Sequence, residues 1–267
     1  MLNHTKSWLL SLLFFCCASV YAGEAPSRPM PQLGWQTDLG LGLIVNPEYQ
    51  GGEDYRALAV PYFDVRYVDE RGTKTFLNVP QGFGTYFLRE RTGSGNRFAL
   101  SAALAPGFQN RDTDEFAGLD TFGAGLEARL GAEYDVGRWS LQANLAQAVA
   151  SGHEGLYGNF SANYRFVFGR GSFAGIGPSL RFGNSTYMSA LYGVTPVESV
   201  SSGLNTFDAG AGIESVAVQG IVSIPVGQNW RFTGVARAGE LIGDAGDSSL
   251  TAQSTQFFIV TALTRRF

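Results

Sequence analysis

Residues 121–136, TFGAGLEARLGAEYDV, decide the reading of this chain. Phe122, Ala124, Leu126, Ala128, Leu130, Ala132, Tyr134 and Val136 fall on one face of an extended segment, while Gly125, Glu127, Arg129, Gly131, Glu133 and Asp135 fall on the other. Successive side chains of a strand point to opposite sides, so the run sets an apolar wall against a charged one. It is far longer than the five or six residues typical of a globular strand and long enough to cross a bilayer at a tilt. A sheet survives in hydrocarbon only when closure pairs every backbone N–H and C=O, so the expectation is an all-β, antiparallel transmembrane barrel of the outer-membrane type.

The same period recurs on both sides of this stretch. Phe98, Leu100, Ala102, Leu104, Pro106 and Phe108 share a face in Arg97 to Phe108, and Phe160, Ala162, Tyr164, Phe166 and Phe168 do so in Leu156 to Phe168. Weaker alternation marks Trp35–Val45, Tyr55–Tyr67, Trp139–Val149, Ala174–Phe182, Glu214–Val226, Trp230–Ala238 and Phe257–Phe267. Connections alternate between long, as at Asn46–Asp54, Asn110–Gly118, Gly183–Ala211 and Gly243–Ser249, and short, as at Asp69–Thr73, Asp135–Arg138, Gly169–Ser172 and Gly227–Asn229. Outer-membrane barrels show that asymmetry, with short periplasmic turns and longer outer loops. Both termini fall on the periplasmic side only if Thr73 to Arg89 holds two strands, broken near Pro80-Gln81-Gly82, because proline cannot donate to a central ladder. The count is then twelve, with ten as the alternative if the weak N-terminal segments do not span.

Composition narrows the function. The 267 residues are 45% hydrophobic and only 16% charged, below the quarter or so usual for soluble proteins, with a net charge of −4. Lys6, the apolar run Trp8–Val20 and Val20-Tyr21-Ala22 have the pattern of a secretory leader cleaved after Ala22. Residues 1–22 are therefore expected to be removed, 23–34 to form a proline-bearing periplasmic leader, and 35–267 to form the barrel. Cys16, Cys17 and His4 all lie in the leader. The mature chain then has no disulfide, no thiolate metal site and no Cys nucleophile, and His153 is its single histidine. No Ser-His-acid arrangement gathers around His153, so no enzymatic activity and no cofactor are expected, nor is a nucleic-acid partner.

Apparent motifs dissolve in the strand pattern. Gly123-Ala-Gly125-Leu-Glu-Ala128 resembles a dinucleotide fingerprint, but alternation continues through it where a helix is required. The expected lumen-facing charges are Asp38, Arg56, Asp64, Arg66, Glu127, Arg129, Glu133, Arg165, Arg181, Arg231 and Arg237, with Arg266. Arginine outnumbers the acids, which suits a narrow anion-preferring channel; alternatively the charges pair across the lumen and seal it. Asp112, Asp114, Glu115 and Asp120 lack hard-cation spacing and read as a solvated acidic loop. His153 and Glu154 read as an exposed pair in a short outer loop. Asn159-Phe-Ser161 and Asn184-Ser-Thr186 match glycosylation sequons by pattern only.

At the C-terminus Phe257, Ile259, Thr261, Leu263, Arg265 and Phe267 share a face, and terminal Phe267 is similar to the signal read by the outer-membrane assembly machinery. In the N-terminal third stands Gly40-Leu-Gly42-Leu-Ile-Val-Asn-Pro47-Glu48-Tyr49-Gln-Gly51-Gly-Glu-Asp54-Tyr55-Arg56, followed by Pro61-Tyr62-Phe63. This resembles the MipA/OmpV family of outer-membrane proteins, with its glycine-rich first strand, Pro-x-Tyr-x-Gly loop and Asp-Tyr-Arg opening to the second strand. The resemblance implies residence in the outer membrane of a Gram-negative bacterium. It also implies a scaffold that holds murein enzymes, with a lytic transglycosylase and a penicillin-binding protein as partners and lipid as surroundings. Permeability and surface adhesion, the latter through the Gly183–Ala211 loop, are the alternative roles it implies.

Overall fold

The computed structural model describes residues 33–109, 111, 118–169 and 171–267. The expected cleaved segment 1–22, residues 23–32 of the expected periplasmic leader and the acids Asp112, Asp114 and Glu115 lie outside the described residues. Twelve antiparallel strands run in chain order: β1 (Gly34–Pro47), β2 (Tyr55–Asp69), β3 (Gly72–Asn78), β4 (Gly82–Arg91), β5 (Arg97–Gly107), β6 (Gly125–Val136), β7 (Trp139–Ala150), β8 (Leu156–Phe168), β9 (Ser172–Gly183), β10 (Gly212–Val226), β11 (Trp230–Leu241) and β12 (Thr255–Arg266). Each pairs with its sequence neighbours, and β12 closes on β1 from Asp38↔Arg266 to Val45↔Ile259. The Pro80 break is a turn between β3 and β4, which gives twelve strands rather than ten.

The register puts the two faces where alternation places them. Leu39, Leu41 and Leu43 on β1, Leu130 on β6, Ile176 on β9 and Leu263 on β12 stand exposed on the outside, a surface suited to hydrocarbon. Near the turn-rich end, Trp35 meets Tyr67 edge-on at 5.4 Å and Trp139 meets Tyr164 at 5.2 Å, the aromatic girdle expected at a lipid–water boundary. Turns at this end are two to five residues long. The two-residue turn between β6 and β7 uses Gly137 at φ 57°, a conformation that costs glycine nothing.

One boundary departs from expectation. The run 121–136 becomes strand only at Gly125; Phe122, placed by period on the lipid face, packs instead against a buried cluster at the opposite, loop-bearing end. That cluster is the barrel's largest apolar core. Tyr187, Met188, Leu191 and Tyr192 of α1 (Ser185–Tyr192) fill it together with Tyr157, Leu241, Ala209 and Ala245. The long β9–β10 connection is thus folded structure. Asn184, at the head of the sequon-like triplet, caps α1 by accepting from the Tyr187 amide, and Thr195 with Glu198 forms a capping box on α2 (Pro196–Ser202). A short α3 (Asp244–Asp247) in the β11–β12 connection packs beside α1.

Candidate functional site: the lumen and its cover

Lumen charges gather into clusters along the wall. At the turn-rich end Asp38 receives Arg66 Nη2 at 2.9 Å and Arg266 Nε at 3.0 Å, while Arg66 also pairs with Asp64. On the neighbouring arc Glu133 takes Arg97 at 2.6 Å and the Tyr86 hydroxyl at 2.7 Å, and Asp135 takes Arg97 at 3.0 Å and Arg165 at 2.7 Å. Asp69 and Arg89 form a two-pronged pair, a geometry that adds directionality to charge. Each of these pairs joins the same, adjacent or next-but-one strands. The expectation that charges pair across the lumen is corrected: neighbours on one curved wall lie closer than residues on opposite walls.

Toward the loop end the acids become buried hubs. Glu127 is 1% exposed and accepts from Arg129 Nε at 2.8 Å and from the Tyr157 hydroxyl at 3.0 Å, with His153 Nε2 at 3.3 Å. The Gly155 amide donates to His153 Nδ1, which leaves Nε2 to donate to Glu127. His153, expected to be exposed, is 3% exposed, because residues 151–155 turn it back into the lumen beside Tyr157 and Tyr187. Glu214 is the second hub: the hydroxyls of Tyr192 and Tyr187 donate to it at 2.9 and 3.1 Å, and Arg181 lies 3.7 Å away. Burial, then the Glu214 carboxylate, push both phenols well above the ordinary tyrosine value, so they remain donors.

Sequence reasoning missed Glu214 for a specific reason. Alternation places it with Val216 and Val218 on the lipid face, but the register shifts between Ile213 and Ser215, and that bulge turns the carboxylate inward. A lone acid on an otherwise apolar face was the available signal.

Among the described residues, two cavities inside the barrel stand out. The outer one, about 450 Å³, is lined largely by uncharged polar side chains such as Asn46, Gln142, Asn159 and Gln219, together with Arg181, Arg237 and Glu240. The inner one, about 380 Å³, is lined by the Asp38 cluster and Arg231. Arg231 reaches only Ser223 Oγ and the Gly171 carbonyl, and Arg237 only Ser215 Oγ. These two β11 arginines have no carboxylate in ion-pair range among the described residues. Arg56 stands exposed at the outer end of β2, opposite Asn46. Phe267 ends the chain exposed, with its amide donating to the Thr37 carbonyl.

Helices α1 and α2 overlie the loop end. Arg111 pairs with Glu198 at 3.0 Å, and the Asp120 amide donates to the same carboxylate, tying the β5–β6 connection to α2. Asp120 is thus tied through its backbone amide while the residue stays exposed. No group of three or more potential metal ligands stands together among the described residues.

A family model described as MltA-interacting protein MipA matches residues 39–267. Among solved structures the chain is similar to Pseudomonas aeruginosa OccK8 (OprE), with 8% identity and a TM-score of 0.30 over 85% of this chain and 78% of that one. A comparison with curated proteins finds no match.

Proposed function

Since the chain belongs to the MipA family, we propose that it is a non-enzymatic outer-membrane barrel that anchors a murein-acting enzyme, a lytic transglycosylase with or without a penicillin-binding protein, at its periplasmic rim. The family match over nearly the whole barrel carries this reading. The rim supplies a chemical basis: on its short turns and strand ends Arg71, Arg91, Arg138 and Arg265 stand exposed, against Glu70 and Glu90. A rim with an excess of positive charge steers an acidic partner and raises its association rate. The test is retention of a purified lytic transglycosylase and a bifunctional penicillin-binding protein on the immobilised, detergent-solubilised barrel. Retention is expected, and reversing Arg71, Arg91 and Arg138 to Glu together is expected to weaken it at least tenfold. Failure of the unaltered barrel to retain either enzyme overturns the proposal.

A second reading, a narrow channel for small anions, has Arg231 and Arg237 in its favour, because cations left without a carboxylate are free to meet a passing anion. Planar-bilayer traces that stay closed at all voltages would remove it.

A further inference from the structure

The barrel wall has uneven height. β2 pairs with β1 along its whole length, from Gly34↔Val68 to Pro47↔Tyr55, but with β3 only from Asp64 to Asp69. On the other side β5 pairs with β6 as far as Gly107↔Gly125, whereas its pairing with β4 stops at Phe83↔Leu104. Between them β3 and β4 share only four paired positions, Thr75↔Thr85 to Asn78↔Gly82, before the Pro80 turn. The loop-ward halves of β2 and β5 therefore face each other across the space that two more strands would fill. Three inter-strand spacings put that separation at about 14 Å.

Most of the window lies within the lipid-facing belt, about 25 Å tall, and its top reaches the outer boundary. Its floor at Phe63 is four residues from the girdle residue Tyr67, and its top at Tyr55 is twelve. At about 3.3 Å per residue and a tilt near 40°, that spans heights of about 10 to 30 Å above the girdle. Sequence marks both jambs: Pro61 on β2 and Pro106 on β5 fall where each strand has a ladder partner on one side only, the position a residue without an N–H tolerates. Arg129 finishes the sill. From β6 it donates to the Pro106 carbonyl at 3.0 Å and to the Pro80 carbonyl at 2.8 Å, satisfying oxygens at the end of the short hairpin. Its work is therefore local and structural. The frame is apolar, with Phe83 and Leu104 exposed outside and Leu58, on the lumen face of β2, 53% exposed.

The outer cavity is placed to use this window. Asn46 and Pro47 at the end of β1, one strand behind the β2 jamb, and Phe108 and Gln109, just past the end of β5, line it together with residues from β7 to β12, and none comes from β2, β3 or β4. Three buried polar atoms without a hydrogen-bond partner, Gln109 Oε1, Ser179 Oγ and Gln256 Oε1, belong to residues that line it, as does Arg237 with no carboxylate. Buried polar groups left unpaired favour a hydrogen-bonding occupant, and two guanidiniums against the one carboxylate of Glu240 in the lining favour an anionic one.

We propose that the gap between β2 and β5 is a lateral portal through which an acyl-chain amphiphile with an anionic, hydroxyl-bearing head places that head in the outer cavity and its chain in the surrounding lipid. The inference does not depend on the scaffold reading. A free single-chain amphiphile and a bilayer phospholipid share this chemistry.

The described residues contain no cysteine, so a bimane on an introduced one reports its own site. In bilayers of phosphatidylcholine brominated along its chains, bimane at Leu58→Cys is expected to be quenched at least half as strongly as at the outward-facing Leu126→Cys. Bimane at Ser101→Cys, a lumen position on the walled part of β5, is expected to stay bright. Native mass spectrometry is then expected to show saturable binding of oleoyl-lysophosphatidylglycerol but not of oleoyl-lysophosphatidylcholine. Arg237→Gln should weaken it at least tenfold, and so should Ser179→Trp, which fills the cavity. Equal or tighter binding of dioleoyl-phosphatidylglycerol would identify a bilayer lipid as the natural occupant; binding of the single-chain form alone would identify a free amphiphile. Quenching at Leu58 no greater than at Ser101, or lysolipid binding indifferent to head charge and to both variants, overturns the proposal.

Discussion

Glu214 shows how much one side chain carries in this lumen. Its carboxylate takes two tyrosine hydroxyls from α1 and faces Arg181, so it joins the barrel wall to the cover. Breaking a buried pair by removing one partner costs about 3 to 5 kcal/mol, because the other charge stays buried without compensation. Arg181 keeps Asn159 Oδ1 at 2.9 Å and a place 5.5 Å over the Tyr157 ring, which puts the expected cost near the lower end. Glu214→Gln is therefore expected to destabilise the cover by about 3 kcal/mol, on the order of a hundredfold in its opening equilibrium. Limited proteolysis within residues 184–211 measures this; an unchanged cleavage rate would show that the tyrosines hold the cover without the carboxylate.

Among elements, α2 has the clearest chemical handle. Burial alone would raise the Glu198 carboxyl, but the Thr195 and Asp120 amides, the Thr195 hydroxyl and the Arg111 guanidinium outweigh it and hold the group below its ordinary value of 4.5. A carboxylate depressed on folding contributes stability that is present above its unfolded value and lost as pH falls through the folded one. Protection factors over residues 196–202, each measured rate taken against the intrinsic amide rate at the same pH, should thus be high at neutral pH and fall as pH drops below about 4.5, with those of β-strand amides unchanged. Thr195→Ala, which removes the cap, is expected to cost about 1 kcal/mol at neutral pH. Protection indifferent to acid would mean that α2 is held by its apolar contacts alone.

At the scale of the molecule, the loop end is closed by packing rather than by charge. Tyr187, Met188, Leu191 and Tyr192 are essentially buried, and burying each such side chain contributes about 1.5 to 3 kcal/mol. The twelve-stranded wall shares none of the cover's backbone pairing, so deleting residues 185–210 behind a short glycine linker is expected to leave a folded, heat-modifiable barrel. Its planar-bilayer conductance should rise severalfold over that of the intact chain. An unaltered trace from a folded deletion protein would place the constriction lower, at the Asp38 cluster.

Alternation over segments such as 125–136 and 156–168 sufficed for strand identity and for most inward and outward faces, because a two-residue period is a local property that every strand of a closed sheet must repeat; twelve rather than ten needed the Pro80 break and the sidedness of the connections as well. The inward side of Asp38, Arg66, Glu127 and Arg181 followed from the same period. What the tertiary structure alone decided is which neighbours those charges meet, the inward turn of Glu214 at a bulge, the burial of His153 and Phe122 under α1, and the gap above the β3–β4 hairpin. Each depends on register and on segments distant in the chain meeting in space, and a pattern read one residue at a time along a strand carries no record of either.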